Sequence, residues 1–235
     1  MQVFSSKIIL DYETSRSLWL YVYQSDFQVK PEADKFILHI DHPDLGKVME
    51  FKYPFIFPIP QEDTGDQTLT TQISPEEDIP DYLMVLLEAG QAALGHFIEG
   101  KLDSHKVIRK YMVRAKQGKL QLSHLKTKGK SKLGSRIRLA QSKEFFEEIN
   151  EKLLEWEVED VDLILYNSSI QLWNGLFDAP NPPPFAKRDT RLRKIPKDLP
   201  SPTFELLHET NQWALQGELT IFKKEFRDIL DKMED

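Results

Sequence analysis

One segment of the chain, residues 101–138, differs from all the rest in its charge, and the rest of the fold has to be arranged around it. It carries thirteen Lys and Arg side chains against a single acidic residue, Asp103. The remainder of the chain holds the other 18 of 31 basic residues and 37 of 38 acidic ones. Like charges concentrated on one segment repel each other and destabilise a compact state. The segregation therefore points to an external ligand, and a polyanion such as RNA is the class that fits.

Length and composition limit the chain to one sizeable core, or to one core with a small accessory domain. It has 235 residues, of which 40% are hydrophobic, enough for a core of that size. Cysteine is absent, which excludes disulfides and thiolate metal sites and fits a reducing cytoplasm. The N-terminal residues lack a basic region followed by an apolar stretch, and no long apolar run occurs. We therefore expect a cytoplasmic protein that does not associate with a membrane.

Residues 1–78 are predicted to form a small β-rich domain followed by an acidic linker. Four short apolar or alternating runs, separated by polar turns, indicate strands. They are Lys7–Leu10, Leu18–Tyr23, Lys35–Ile40 and Val48–Phe51. Residues 61–80 are rich in Asp, Glu, Thr and Pro, a composition typical of a linker. We therefore place a domain boundary between residues 78 and 79.

Residues 79–235 begin with a pattern of strands and then reach the basic segment. Tyr82–Leu87 and Ala92–Ile98 flank a turn that contains Gly90, which predicts a hairpin. A further strand is predicted over His105–Arg114. The lysines and glycines of Ala115–Leu133 then predict an exposed, mobile loop.

A helix and a strand are predicted after this loop. Ser135 can cap a helix whose apolar face repeats at helical spacing. Its members are Leu139, Phe146, Ile149, Leu153 and Trp156. Asp162–Tyr166 is a short apolar run suited to a buried strand, so the two elements together indicate an α/β crossover. Nearer the C-terminus, residues 219–233 predict an amphipathic helix, although 219–222 also fits a strand.

Two arginines, Arg136 and Arg138, fall in the first turn of the helix predicted from Ser135. The backbone N–H groups of a first turn lack helical partners, and the helix dipole is positive there. Basic side chains are unfavourable at this position unless an anion binds beside them. The arrangement therefore indicates a phosphate-binding position, with two exposed helix residues as the plain alternative.

The order of these elements, together with three short motifs, resembles a known family. The strand that ends at Arg114 continues into the loop as YMVRAKQGKLQ, and the helix begins with LGSRIRLAQ. The next strand and the residues that follow it read LILYNSSIQLW. Gly118 and Gln121 correspond to a loop glycine and glutamine of that family, and Gly134, Ser135 and Arg138 to its helix start. The chain thus resembles the Vms-like release factors, which are related to the catalytic domain of eukaryotic and archaeal class-I release factors. The resemblance covers about residues 80–215.

This resemblance implies a fold and an activity. The fold is α/β, a mixed sheet with flanking helices like the release-factor catalytic domain and RNase H, in residues 79–235. The activity is hydrolysis of peptidyl-tRNA on stalled large ribosomal subunits, with Gln121 and Gly118 as catalytic residues and no metal or cofactor. The basic side chains that would hold RNA are Arg114, Lys116, Lys119, Lys126, Lys128, Lys130, Lys132, Arg136 and Arg138.

Two other functions remain open. The loop reads Gly118-Lys119-Leu120-Gln121, whereas release factors have Gly-Gly-Gln. Leucine restricts backbone angles that glycine leaves open, so a non-catalytic ribosome- or tRNA-binding protein is one alternative. The other is an endonuclease that cleaves the 3′ end of tRNA.

Two clusters of polar residues suggest other chemistry but fit plain readings better. The first cluster contains residue types that can bind a metal ion. It lacks helical spacing and a third imidazole, so we interpret it as a solvated turn. It comprises His39, Asp41, His42 and Asp44. The second is acidic and could be nuclease carboxylates, but it lies at a predicted helix end. It comprises Glu155, Glu157, Glu159, Asp160 and Asp162.

Overall fold

The computed structural model describes residues 5–58, 79–110, 130–156 and 158–233, and within these it describes residues 130–142, 159 and 232 by their backbone only. The chain divides into two compact units. The first unit contains residues 1–78 and 210–235, and the second contains residues 79–209. Across the described ranges, every helix is too short or too polar to cross a bilayer.

The first unit is a five-stranded antiparallel sheet in the order β1-β10-β4-β3-β2. Its strands are β1 (Ser6–Leu10), β2 (Gln28–Glu32), β3 (Ile37–His42), β4 (Gly46–Lys52) and β10 (Gly217–Ile221). One face of the sheet is buried, and Leu38, Ile40 and Phe51 on it are fully inaccessible. The β-rich character predicted for the N-terminal residues is confirmed.

One predicted strand of this unit is wrong, because Leu18–Tyr23 lies in helix α1 (Tyr12–Gln24). Asp11 caps the helix by accepting a hydrogen bond from the Thr14 N–H at 2.8 Å. The residues that α1 buries recur at helical spacing, a signal that the apolar run concealed. They are Tyr12, Ser15, Leu18, Trp19 and Val22.

The second unit contains a mixed five-stranded sheet in the order β7-β6-β5-β8-β9. The strands are β5 (Tyr82–Glu88), β6 (Gln91–Ile98), β7 (Lys101–Arg109), β8 (Leu163–Asn167) and β9 (Leu192–Lys194). The pairs β5–β6 and β6–β7 are antiparallel, whereas β8 runs parallel to both β5 and β9. This confirms the predicted hairpin, the crossover to β8 and the mixed α/β fold class.

Helices α2 (Lys130–Glu155) and α3 (Ile170–Phe177) cover one face of this sheet. Phe145, Ile149 and Leu153 of α2 are fully buried in one cluster with Trp173 and Leu176 of α3. Phe146, which we predicted on the core face, is only partly buried, and Phe145 takes its place. The helix α4 (Phe204–Leu215) follows β9, and the division between the two units falls within it, after Glu209.

The C-terminal residues differ from the predicted domain division of 1–78 and 79–235. Residues 217–221 form β10, which pairs with β1 on one side and β4 on the other. A strand inserted between two others belongs to their sheet, and residues 210–235 therefore join the first unit. Of the two structures that residues 219–222 allow, the strand is the one formed.

Gly175 of α3 lies directly against the ring of Phe146 on α2, and a methyl group there would overlap ring carbons. We expect Gly175→Ala to lower the free energy of unfolding by about 1–2 kcal/mol, since overpacking costs about 1–3 kcal/mol and exceeds the gain of up to about 1 kcal/mol in helix propensity. Urea denaturation measures the change. The exposed Gln171→Ala on the same helix is the control, expected within about 0.5 kcal/mol of wild type. A stabilised Gly175→Ala would contradict the close packing.

Candidate functional site

The end of the second sheet at which β5, β8 and β9 finish is the candidate site. Leu86 near the end of β5 pairs with Asn167 of β8, and Tyr166 pairs with Lys194 of β9. In α/β sheets, ligands bind beyond the carboxyl ends of parallel strands. The antiparallel strand β7 also ends here, because Arg109 pairs with Gln91 at the start of β6.

The basic segment leaves the sheet at this end through Lys110. The Lys110 N–H donates to the carbonyl of Gly90 at 2.8 Å, which continues the β6–β7 ladder by one residue. The Lys110 ammonium lies 3.1 Å from Glu148 Oε2 on α2. The chain is thus tied to both the sheet and the helix just before residues 111–129, which lie outside the described residues.

Helix α2 returns the basic segment to the sheet and begins earlier than predicted. It starts at Lys130, so Ser135 is inside the helix rather than its cap, and Arg136 and Arg138 lie in the second and third turns. Because residues 130–133 are mostly good helix formers, the helix extends further towards the N-terminus than predicted. The first turn contains no acidic residue and two lysines, Lys130 and Lys132. These two lysines, rather than Arg136 and Arg138, would therefore lie beside an anion bound at the helix start.

The anchoring of α2 lies far from its first residue. Lys130 precedes Glu148 by eighteen residues, or about 27 Å along a helix axis at 1.5 Å per residue. Beside Glu148, the buried Asn150 donates to the carbonyls of Leu176 at 2.8 Å and Asn181 at 2.7 Å. Asn181 in turn donates to the Glu147 carbonyl at 3.0 Å. These bonds hold the C-terminal half of α2 on the unit.

The predicted site residues fall into two groups. One group lies outside the described residues and comprises Arg114, Lys116, Gly118, Lys119, Gln121, Lys126 and Lys128. The other lies on α2, where only the backbone is described, and comprises Lys130, Lys132, Arg136 and Arg138. All of them stand between Lys110, where β7 has ended, and the part of α2 that is packed on the sheet.

A polar pocket of about 500 Å³ lies at the same end of the sheet. It is lined by the loop that follows β8 and the loop that follows β9. The lining residues are Asn167, Ser168, Ser169, Lys194, Ile195, Pro196, Lys197, Asp198 and Leu199. The Asn167 carboxamide holds the two loops together, since it donates to the carbonyls of Lys197 at 2.8 Å and Ile195 at 3.4 Å. We call this cavity the β8–β9 pocket.

A salt bridge stabilises the segment that immediately precedes β9. Arg191 forms two parallel hydrogen bonds to Asp189, at 3.0 Å and 2.9 Å, and donates to the carbonyl of Val161 at 3.1 Å. The side chains of Arg191 and Asp189 are 23% and 15% exposed. The Arg191 hydrogen bonds hold the pKa of the Asp189 carboxyl below its ordinary value of 3.8.

This lowered pKa predicts how stability changes in acid. The ionised Asp189 carboxylate stabilises the folded state fully at pH values above its unfolded-state pKa of 3.8. This stabilisation is lost as the pH falls further, through the lower pKa of the folded state. We expect wild type to lose more unfolding free energy than Asp189→Asn as the pH drops from 5 towards 2. Urea denaturation at each pH measures the difference. Parallel pH profiles for the two proteins would contradict the linkage.

The two clusters that suggested other chemistry are engaged in local contacts. His39 lies 3.3 Å from Glu32 and 3.5 Å from Glu50, and the His42 ring accepts a hydrogen bond from the Asp44 N–H. No grouping of three potential metal ligands occurs among the residues that the structure describes. In the acidic cluster, Glu155 contacts Lys152 and Asp162 accepts from the Asp81 N–H.

The sequence reasoning missed the β8–β9 pocket. One of its two strands was predicted, over Asp162–Tyr166, but its parallel pairing with β9 was not. A parallel pairing brings the residues that follow each strand to one edge. Had it been assumed, Asn167 and Lys194 would have been placed together.

Comparison with known proteins adds a family match. A family model described as the Bacteroidetes VLRF1 release factor matches residues 82–219. The match covers more than half of the 235 residues and includes the whole segment between β7 and α2. Among solved structures, the chain is similar to "Vms1 mitochondrial localization core", with 13% identity and a TM-score of 0.43 over 77% of this chain and 75% of that chain. The search of curated proteins found no match.

Proposed function

Because this chain belongs to the Bacteroidetes VLRF1 release factor family, we propose that it is a peptidyl-tRNA hydrolase that frees nascent chains on stalled large ribosomal subunits in the cytoplasm. The observation that carries the proposal is the placement of the basic segment. The chain leaves the sheet at Lys110, runs through residues 111–129 and returns as α2. Gly118 and Gln121 lie in the middle of that connection.

In the proposed reaction, Gln121 positions a water molecule. A carboxamide has no pKa near neutrality and cannot act as a general base. It can orient water against the ester carbonyl that joins the peptide to the tRNA ribose. Water attacks the carbonyl carbon and forms a new C–O bond, the ester bond between that carbon and the ribose oxygen breaks, and the ribose oxygen takes up the proton that the water gives up. Backbone N–H groups and ribose hydroxyls stabilise the charge that develops on the carbonyl oxygen.

The basic side chains supply affinity for the substrate in this proposal. Lysines and arginines between Arg114 and Arg138 bind phosphates of the tRNA and the ribosomal RNA and bring Gln121 to the ester. The ion pair between Lys110 and Glu148 supports this role, because it anchors the segment just before residues 111–129. Each phosphate contact should steepen the salt dependence of binding by about 0.9 for duplex nucleic acid.

One observation favours a second function, that of a non-catalytic ribosome- or tRNA-binding protein. Lys119 and Leu120 separate Gly118 from Gln121, and both residues restrict the backbone more than glycine does. A protein with this loop would retain the basic segment and its affinity for RNA while lacking hydrolysis.

Purified protein incubated with large subunits that carry labelled peptidyl-tRNA separates these functions. We expect the peptide to be released and the tRNA to be recovered with its complete 3′ end, because the ester is the bond that breaks. Recovery of tRNA that is shortened at its 3′ end would instead identify the protein as an endonuclease. Salt-sensitive co-sedimentation with the subunits and no release would identify a binding protein.

A further inference from the structure

The β8–β9 pocket has the size and chemistry of a site for one nucleotide. Its volume of about 500 Å³ lies within the range of roughly 300–1,000 Å³ typical of small-ligand sites. Such a cavity is too small for a duplex. Two of its lining residues, Lys194 and Lys197, are basic, and one, Asp198, is acidic.

The polar groups of the pocket suit a nucleotide. Lys194 and Lys197 are both exposed and can attract a phosphate from solvent. The carboxylate of Asp198 and the hydroxyl of Ser168 can accept hydrogen bonds from a ribose hydroxyl. Leu199 and Pro196 add apolar surface for a base, and Ile170, the residue after Ser169, is 75% exposed. Proteins usually recognise RNA through contacts with its unstacked bases and its 2′-hydroxyl groups.

The position of the pocket also fits an RNA that reaches the basic segment. Strands β7 and β8 are three places apart in the sheet, or about 14 Å at the usual strand spacing of about 4.8 Å. Both the pocket and the exit of the basic segment at Lys110 lie at the end where β5 and β8 finish. A single strand of a few nucleotides spans that distance.

We infer that the β8–β9 pocket binds a nucleotide of single-stranded RNA, with Lys194 and Lys197 holding its phosphate. The inference rests on the proposed function for the identity of the RNA, which is then the 3′ end of the tRNA substrate. The pocket would then be a second site of RNA contact, in addition to the basic segment. The RNA would run from one to the other across this end of the sheet.

The test compares two double variants of the full chain. Lys194→Gln/Lys197→Gln removes both lysines of the pocket, and Lys187→Gln/Arg188→Gln removes two exposed basic residues of the same unit that do not line it. The probe is a short fluorescent oligoribonucleotide that ends in CCA, the terminal sequence of tRNA. Fluorescence anisotropy gives its Kd over a series of salt concentrations.

We expect the pocket variant to bind the oligoribonucleotide at least about tenfold more weakly than the control variant at low salt. Its slope of log Kd against log salt concentration should fall by about 0.7, the value for the one phosphate of a single strand that the variant no longer binds. Equal Kd values and slopes for the two variants would overturn the inference. The assay uses no peptidyl-tRNA, so failure of the hydrolase proposal in the release assay leaves this comparison intact.

Discussion

Replacing Gln121 by alanine is expected to lower the rate of peptide release by about 10²- to 10³-fold, the loss found when one positioned polar group is removed from a transition state. The reason is that Gln121 orients the attacking water, and alanine leaves the water unheld. Binding to the large subunit should change by less than about twofold, because an uncharged side chain neutralises no phosphate. Single-turnover release with saturating protein measures the first quantity, and co-sedimentation measures the second.

The basic segment contains a matched control for this substitution. Gln117 is the other glutamine of residues 101–138, and Gln117→Ala should release peptide at nearly the wild-type rate. A slow Gln117→Ala beside a fully active Gln121→Ala would assign the catalytic role to Gln117 and contradict the role given to Gln121. Full activity for both would remove a glutamine from the mechanism.

The second large effect is expected on RNA affinity. Substituting four lysines by glutamine removes up to four phosphate-binding groups, and we expect the slope of log Kd against log salt concentration to fall by about 3 to 4. The four are Lys126, Lys128, Lys130 and Lys132. Affinity for large subunits at low salt should fall by roughly 10²-fold or more, because counterion release supplies most of the binding free energy. Filter binding or sedimentation across a salt series measures both quantities.

The first unit offers a control that removes the same number of charges. Lys7, Lys30, Lys47 and Lys52 are exposed on its sheet, and three of them form surface ion pairs, which contribute about 0–1 kcal/mol each to stability. The quadruple glutamine variant of these residues should keep the wild-type slope. If its affinity fell as far as that of the basic-segment variant, binding would depend on net charge rather than on that segment.

Part of the fold could be predicted because local patterns and tertiary structure agree. The β5–β6 hairpin has two apolar runs around a turn, and Gly90 in it has a φ of +81°, which suits glycine. Helix α1 was missed for the opposite reason. The run from Leu18 to Tyr23 is rich in aromatic residues, which favour strands, whereas the spacing of its buried residues is helical.

The domain division could not be predicted from neighbouring residues. Strand β10 pairs with β1 and β4 through contacts between residues more than 160 positions apart, such as Ile221 with Met49. Only residues 219–222 were compatible with a strand in the sequence, and nothing local indicates its partners. The β8–β9 pocket was missed for the same reason, because it depends on which strands are neighbours in the sheet.

The family was recognised from the residues that carry the proposed chemistry, and the family match over residues 82–219 confirms it. Gly118, Gln121 and Arg138 provided that recognition through their order and spacing. The roles assigned to them stay predictions, because Gly118 and Gln121 lie outside the described residues and Arg138 is described by its backbone only.

The most direct test of the central claim is to find which RNA nucleotide Gln121 approaches. The chain has no cysteine, so Gln121→Cys provides a single attachment point for a short photo-cross-linker, and Lys187→Cys provides a control on an exposed site of the second unit. With large subunits that carry peptidyl-tRNA, position 121 should cross-link to the terminal adenosine of the tRNA, and position 187 should not. Cross-links from position 121 that never include the tRNA 3′ end would contradict the account.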